Sequence, residues 1–331
     1  MTVAGINGSM AHLSDTFFTT AIAAYALAMV AYTAEYSFGR RGRIAATSTT
    51  RVLVGAGGPA SEQAPPPIDD RSTFANRAGR FAVIVTAIGA LLHATSIAIR
   101  GIAVDAVPWS NMYEFASVAG LVGVLTFLAV MWKAPQLRHL GGMILLPVVL
   151  LMFLAGTVFY SRAQPLVPAL QSYWLAIHVT LVSIAEGAFM TSAVLTVLFL
   201  VKIRYDRVSA ASGAPTKGYL AIGNRLPAAE TLDKAAYRVV AFAFPLYTVA
   251  VICGAIWAEA AWGRYWGWDP KETWAFIVWV VYACYLHARA TAGWKGRSAA
   301  WINLAGFGAI TFNFLIVNIV ISGLHSYAGL N

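Results

Sequence analysis

The chain has 331 residues, of which 59% are hydrophobic and 11% charged, and it carries a formal net charge of +9 at pH 7. A soluble domain of that composition would expose far more apolar surface than water tolerates, so the chain reads as an all-α, polytopic integral membrane protein. No basic patch interleaved with aromatic residues supports nucleic-acid binding; the positive charge follows from membrane topology and from contact with anionic lipid headgroups.

Eight apolar runs are long enough to cross a hydrocarbon core of roughly 30 Å as helices. They cover about 17–38, 80–100, 113–132, 142–160, 174–201, 239–260, 274–292 and 301–322. The fifth is the longest and is expected to tilt or to project from the bilayer. All but four of the 23 Lys and Arg residues fall in or beside the loops after runs 1, 3, 5 and 7; the exceptions are Arg100, Arg162, Arg264 and Lys271. Because Lys and Arg accumulate in cytoplasmic loops, both termini and the loop between runs 6 and 7 are expected outside the cytoplasm, in a plasma (inner) membrane. Residues 1–16 contain no Lys or Arg, so the first run reads as an uncleaved span rather than a signal peptide. Residues 39–79, rich in Gly, Ala, Ser, Thr and Pro, read as a flexible cytoplasmic linker. The chain thus divides into 1–79, a first helix with its linker, and 80–331, the main transmembrane domain. The loop at 202–238 has room for a short interfacial helix. Cys253 and Cys284 lie in separate helices without a Cys-x-x-Cys spacing, which argues against a thiol oxidoreductase and makes both small buried apolar residues.

The densest feature is the loop 259–274, which contains Trp262-Gly263-Arg264-Tyr265-Trp266-Gly267-Trp268-Asp269-Pro270-Lys271-Glu272-Thr273-Trp274. Scattered rings would read as an interfacial belt, but four tryptophans and a tyrosine within thirteen positions offer broad, stiff faces to a planar aromatic ligand. Asp269 as N-cap, Pro270 at the first helical position and Glu272 three residues after the cap predict a rigid helix start. That start presents Trp262, Trp266 and Trp268 from a defined platform, with Trp274 in the same binding set. Arg264 and Lys271 are left for ligand carboxylates or for lipid headgroups.

His178, near the outer end of run 5, and His325, just after run 8, fall on the loop's side and form a pair of candidate axial ligands to a haem iron. His287 lies roughly 20 Å down run 7, and an ionisable group at that depth is a functional candidate. His93, roughly 10 Å from the outside, is either a second intramembrane ligand or a hydrogen bonder that packs helices. His12 and His139 read as solvated. Glu186, two turns beyond His178 on a similar face, pairs with a base or carries protons.

The segment Trp262 to Trp274, with His178 and His325 flanking it, resembles the WWD signature of the haem-handling membrane proteins of cytochrome c biogenesis. Eight runs in this length, a C-terminal external histidine and an intramembrane histidine soon after the signature are most similar to the CcsA (ResC) branch of System II. The resemblance covers most of 80–331. It implies transport of haem b and its presentation for covalent attachment, a holocytochrome c synthase activity of lyase type working with a CcsB (ResB) partner. Haem would enter near His287, be held outside by His178 and His325, and meet the reduced thiols of a Cys-x-x-Cys-His segment in apocytochrome c. A thiol-reducing protein is involved indirectly. Two other readings stay open: a lipid or amphiphile transporter without haem, and a b-type haem electron-transfer subunit whose ligands are His93 and His287.

Overall fold

The computed structural model describes residues 7–39, 70–164, 170–212, 218–291 and 293–324, and within these the protein is a bundle of antiparallel helices without strands. Eight long helices run in chain order: α1 (Gly8–Phe38), α2 (Asp70–Val104), α3 (Met112–Lys133), α4 (Gly141–Thr157), α5 (Tyr173–Ser212), α6 (Ala229–Trp262), α7 (Pro270–Ala290) and α8 (Arg297–Phe312). A 3₁₀ turn, Pro135–Leu140, leads into α4, and another, Gly218–Arg225, precedes α6. Beyond α8 the helix widens into a π turn, Asn313–Val317, and ends in the single turn Asn318–Val320.

The eight apolar runs correspond to the eight helices, but seven rather than eight are long and apolar enough to cross a membrane by length and composition. The exception is α7, whose 21 residues include Lys271, Glu272, His287 and Arg289. It nevertheless follows α6 from end to end. Tyr247 Oη donates to the Ala275 carbonyl at 3.2 Å, Trp279 Nε1 donates to Thr248 Oγ1 at 3.0 Å, and Arg289 grips Asp233 through two bonds of 2.7 and 3.0 Å. Polar contacts with its neighbour thus compensate for what α7 lacks in apolar character.

Most helices outrun their apolar cores. Residues 70–79, expected in a linker, are the first turns of α2, while 40–69 lie outside the described residues. In the expected 202–238 loop, α5 continues to Ser212 and α6 begins at Ala229. The physical reason is that helix propensity and neighbour contacts carry a helix past the hydrocarbon boundary, where hydropathy no longer marks it. His139 is likewise half-buried, stacked on Tyr36 at 6.2 Å, rather than solvated, and Cys284 is exposed while Cys253 is buried.

Two cores meet at α5. One joins α1–α4 to it through Phe18, Tyr25, Phe127 and Leu145; the other joins α6–α8 to it through Phe189, Tyr247 and Tyr282. Accordingly 67% of the membrane window of α5 is buried within the bundle, against 33–44% for the other spans. Outward faces carry exposed Val30, Leu91, Phe153 and Ile252, a surface suited to lipid tails and a liability in water. Ion pairs brace both rims: Arg100 with Glu114 at 2.9 Å at the tryptophan-loop end, and Arg138 with Glu35 at 2.5 Å at the other. Among the described residues, the basic side chains other than Arg100, Arg162, Arg264 and Lys271 belong to this second half of the bundle.

With no hydrophobic drive between helices in lipid, small residues set how closely backbones approach. At the α3–α5 crossing a Cβ on Gly187 would lie 2.6 Å from the Ala119 carbonyl and 2.8 Å from Gly123 N. Gly187→Val should therefore force the helices apart and cost roughly 1–3 kcal/mol as overpacking does, read as a lower midpoint of thermal unfolding in detergent. Gly8→Ala, where nothing lies within 4 Å, should leave the midpoint unchanged. Equal midpoints for both variants and the parent would refute the close crossing.

Candidate functional site

The loop between α6 and α7 is held by its two ends. α6 stops at Trp262 because Gly263 adopts φ 72°, a left-handed cap whose N–H bonds the Glu259 carbonyl at 2.8 Å, a conformation that suits glycine. α7 starts with a complete capping box. The Asp269 side chain accepts from Lys271 N at 3.4 Å, while the buried Glu272 carboxylate accepts from Asp269 N at 3.1 Å and from Gly267 N at 2.8 Å. Arg264 folds back towards Glu272, 3.9 Å away. Its guanidinium lies where a Cβ of residue 267 would be, so only glycine fits there. Trp268 takes the strained φ of 57° and stays 65% exposed, with its edge against Trp266 at 5.9 Å.

Beneath this loop, α3, α5, α6, α7 and the π turn enclose a cavity with about 1150 Å³ of space between its walls, part of it open to solvent. Trp262 and Trp266 line it from the loop, Trp109 from the connection between α2 and α3, and Phe115, Trp257 and Phe314 from the helices. Trp257 stacks nearly parallel to His178 (6.4 Å, 17°) and meets Trp262 at 4.8 Å, so histidine and two indoles form one continuous wall.

His178 also lines the cavity, and its Nδ1 lies 2.7 Å from the Ala250 carbonyl oxygen. A carbonyl only accepts, so Nδ1 carries the proton and the lone pair of the neutral ring sits on Nε2. Histidines that ligate metals are arranged in this way. Gly254 makes the approach possible: a Cβ there would fall 2.6 Å from Nδ1.

The cavity's polar side comes from Glu186, Lys271, Glu272, Asn313 and Asn318. Asn313 and Asn318 are five residues apart, the spacing that a π turn brings into line. Lys271 Nζ donates to Asn318 Oδ1 at 2.6 Å. Trp109 Nε1, Glu272 Oε1 and Asn313 Oδ1 are buried without a protein partner among the described residues, as expected of groups that a ligand or water satisfies.

The site differs in part from the set expected from sequence. His178, Trp262, Trp266 and Lys271 converge on the cavity, and Glu186 joins them. Arg264 is turned to Glu272; Trp268 is outside; Asp269 is engaged in the cap; Trp274 packs on Phe312 at 4.2 Å. His93 is fully buried among α1–α3, with Nε2 2.9 Å from Ser117 Oγ and Nδ1 3.4 Å from Tyr25 Oη. Both ring nitrogens serve helix packing, which replaces the ligand reading. His287 is exposed on α7, away from this cavity, and His325 lies outside the described residues. Sequence reasoning missed Trp109, Trp257, Tyr247, Asn313 and Asn318. Three asparagines within the otherwise apolar run 301–322 were the available signal, since polar groups at membrane depth are costly unless used; of these Asn303 bonds Ser192 and Thr196 instead.

The family model described as cytochrome C assembly protein matches residues 109–325. Among curated proteins, the chain is 38% identical over 231 residues to the cytochrome c biogenesis protein CcsA of Chlamydomonas reinhardtii, covering 68% of this chain and 62% of that protein. It is 36% identical over 278 residues to the CcsA of Synechococcus elongatus, covering 73% and 85%. With the CcsA of Gloeobacter violaceus the identity is 35% over 298 residues, covering 76% and 86%.

Gly254→Ala should displace the His178 ring and break its bond to Ala250. Loss of such a supporting contact lowers the affinity of a metal-ligating histidine roughly 10- to 100-fold, so, were His178 to ligate haem, titration of the detergent-solubilised variant with haem should show weakening of that order. An unchanged titration would mean that the seating of His178 does not matter for binding.

Proposed function

This chain belongs to the cytochrome c assembly protein family, and we propose that its cavity holds haem b on the extracytoplasmic face of the plasma membrane for covalent attachment to apocytochrome c. One observation carries this reading: the His178 ring, its Nδ1 held by the Ala250 carbonyl, lies in a cavity walled by tryptophans. The donor set suits haem, because the porphyrin supplies the equatorial nitrogens and the protein need offer only axial imidazole and flat apolar walls. Among the described residues no group of three or more His, Cys, Asp or Glu is gathered around a metal, and haem requires none. His325 is the proposed second axial ligand.

The haem supplies the vinyl groups, to which thiols of a Cys-x-x-Cys-His segment add; each C–S bond forms as the thiol proton passes to the vinyl carbon, with no net oxidation. The chain's own contribution is positioning and electrostatics. Trp257, Trp262 and Trp266 clamp a planar ligand, His178 holds its iron, and Lys271 meets a carboxylate at the polar wall. Glu186 lines the same cavity as Lys271 and competes for that cation. The exposed His287 on α7 is assigned to haem entry, at a surface open to a CcsB (ResB)-like partner. Reduction of the apocytochrome thiols falls to a separate protein. This is the holocytochrome c synthase function, shared between the chain and its partner.

A lipid transporter would use the same apolar walls without needing a fixed histidine tautomer. A b-type electron carrier would need His93 and His287 to face one another, whereas one is packed among α1–α3 and the other is exposed.

His178→Gly should reduce holocytochrome formation to background, with partial recovery on adding imidazole. Full synthesis without imidazole would exclude the reading. Lys271→Met should weaken haem retention roughly 10- to 100-fold, the worth of one charge-assisted hydrogen bond, while Glu186→Gln should strengthen it by removing the competing anion. Haem content measured by absorbance after purification checks both, and equal retention in the two variants would remove Lys271 from the carboxylate site.

A further inference from the structure

Two glutamates hold the approaches to the cavity by the same device. Glu272, the third residue of α7, reaches back to the N–H groups of Gly267 and Asp269, on either side of Trp268, with Arg264 3.9 Å away. Glu114, the third residue of α3, reaches back into the connection from α2. Its Oε2 accepts from Ser110 N and from Ser110 Oγ, both at 2.8 Å, and its Oε1 accepts from Arg100 Nε at 2.9 Å. Asn111 is the N-cap of α3, its Oδ1 accepting the Glu114 N–H at 3.0 Å, so the carboxylate of Glu114 grips the residue before the cap. That residue adjoins Trp109, which lines the cavity and whose Nε1 is buried without a protein partner among the described residues.

Glu114 is 4% exposed and Arg100 2%, and a carboxylate at that depth needs its counter-ion. Arg100 gathers the neighbouring elements around the pair: Asp15 of α1 lies 3.6 Å from its Nη1, its Nη2 donates to the Ser161 carbonyl beyond α4, and its guanidinium lies over the Tyr113 ring. The connection carrying Trp109 is thus fixed from α1, α2, α3 and the end of α4 together.

We propose that Trp109 is a further indole wall of the porphyrin site and that Glu114, balanced by Arg100, is the positioning residue that holds it there. The proposal rests on the reading of the cavity as a haem site. It gives the α1–α4 half of the bundle a part in ligand binding and the buried Arg100 a task at the site.

The test uses the full chain purified with its partner and stripped of haem, as parent, Trp109→Ala, Glu114→Gln, the double variant and His178→Gly. Each is titrated with haem and with metal-free protoporphyrin, and its unfolding midpoint in detergent is measured. Trp109→Ala and Glu114→Gln should each weaken both ligands roughly 3- to 10-fold, the worth of one aromatic contact, because a wall acts on the ring rather than on iron. The double variant should bind no more weakly than Trp109→Ala, since Glu114 acts through that ring. His178→Gly should weaken haem alone. Glu114→Gln leaves Arg100 short of a counter-ion; should its midpoint fall, Ser110→Ala, which cuts one link and spares the ion pair, takes its place in the cycle. Parent-like binding in Trp109→Ala, where His178→Gly loses haem, would overturn the wall. Parent-like binding in Glu114→Gln, or additive losses in the double variant, would overturn the positioning role. Parent-like haem binding in His178→Gly is the separate failure: it removes the haem reading, and the part of Trp109 in it.

Discussion

Hydrocarbon offers no hydrogen-bond partner, and the rest of this structure follows from that constraint. Side chains that would face water in a soluble protein are turned inward or back onto their own helices. Thr86, Thr95 and Thr157 donate to carbonyls four residues earlier. Asn303 donates to Ser192 and Thr196 where α8 meets α5, and Ser14 and Ser96 exchange bonds between α1 and α2. These contacts specify which helix lies beside which, since apolar packing alone distinguishes poorly between neighbours in lipid.

Irregular backbone gathers at the tryptophan loop and in the π turn. Gly263 and Trp268 are left-handed and Gly267 is crowded within the loop above the cavity, and residues of the π turn at Asn313–Val317 line it; other left-handed residues, Asp105, Gly218, Gly293 and Gly296, lie in connections elsewhere. Elsewhere the helices are regular apart from the prolines, Pro147 in α4 and Pro245 in α6. Strain tends to persist where the surroundings over-determine it. Here the Glu272 carboxylate supplies that constraint, with two loop N–H groups bound to one oxygen. The loop is therefore a rigid rim whose tryptophans are set before any ligand arrives.

The histidines divide by environment. His93 is consumed by packing, with partners on α1 and α3; His178 keeps one nitrogen on a backbone carbonyl while its ring lines the cavity; His287 is exposed on α7. Identical side chains thus sit in different environments according to what their ring nitrogens and faces meet. Family membership fits this division, because holding a metallated macrocycle calls for an oriented imidazole more than for a reactive side chain.

Composition and periodicity determined that the chain is helical and membrane-embedded, where its apolar segments lie, and that Asp269-Pro270-Lys271-Glu272 starts a helix beneath a tryptophan loop. These are local properties: apolar length, capping chemistry and ring density are written in contiguous residues. The extended ends of α2, α5 and α6 were not legible, because helices leave the hydrocarbon without a change of backbone geometry. Nor was the membership of the cavity. Trp109, Trp257 and the pair Asn313 and Asn318 come from parts of the chain far apart in sequence, and Arg264 and Trp274 are drawn away by Glu272 and Phe312. Which ring nitrogen of His178 bears the proton depends on a carbonyl 72 residues distant in the chain, and only the tertiary packing of α5 on α6, across Gly254, decides it.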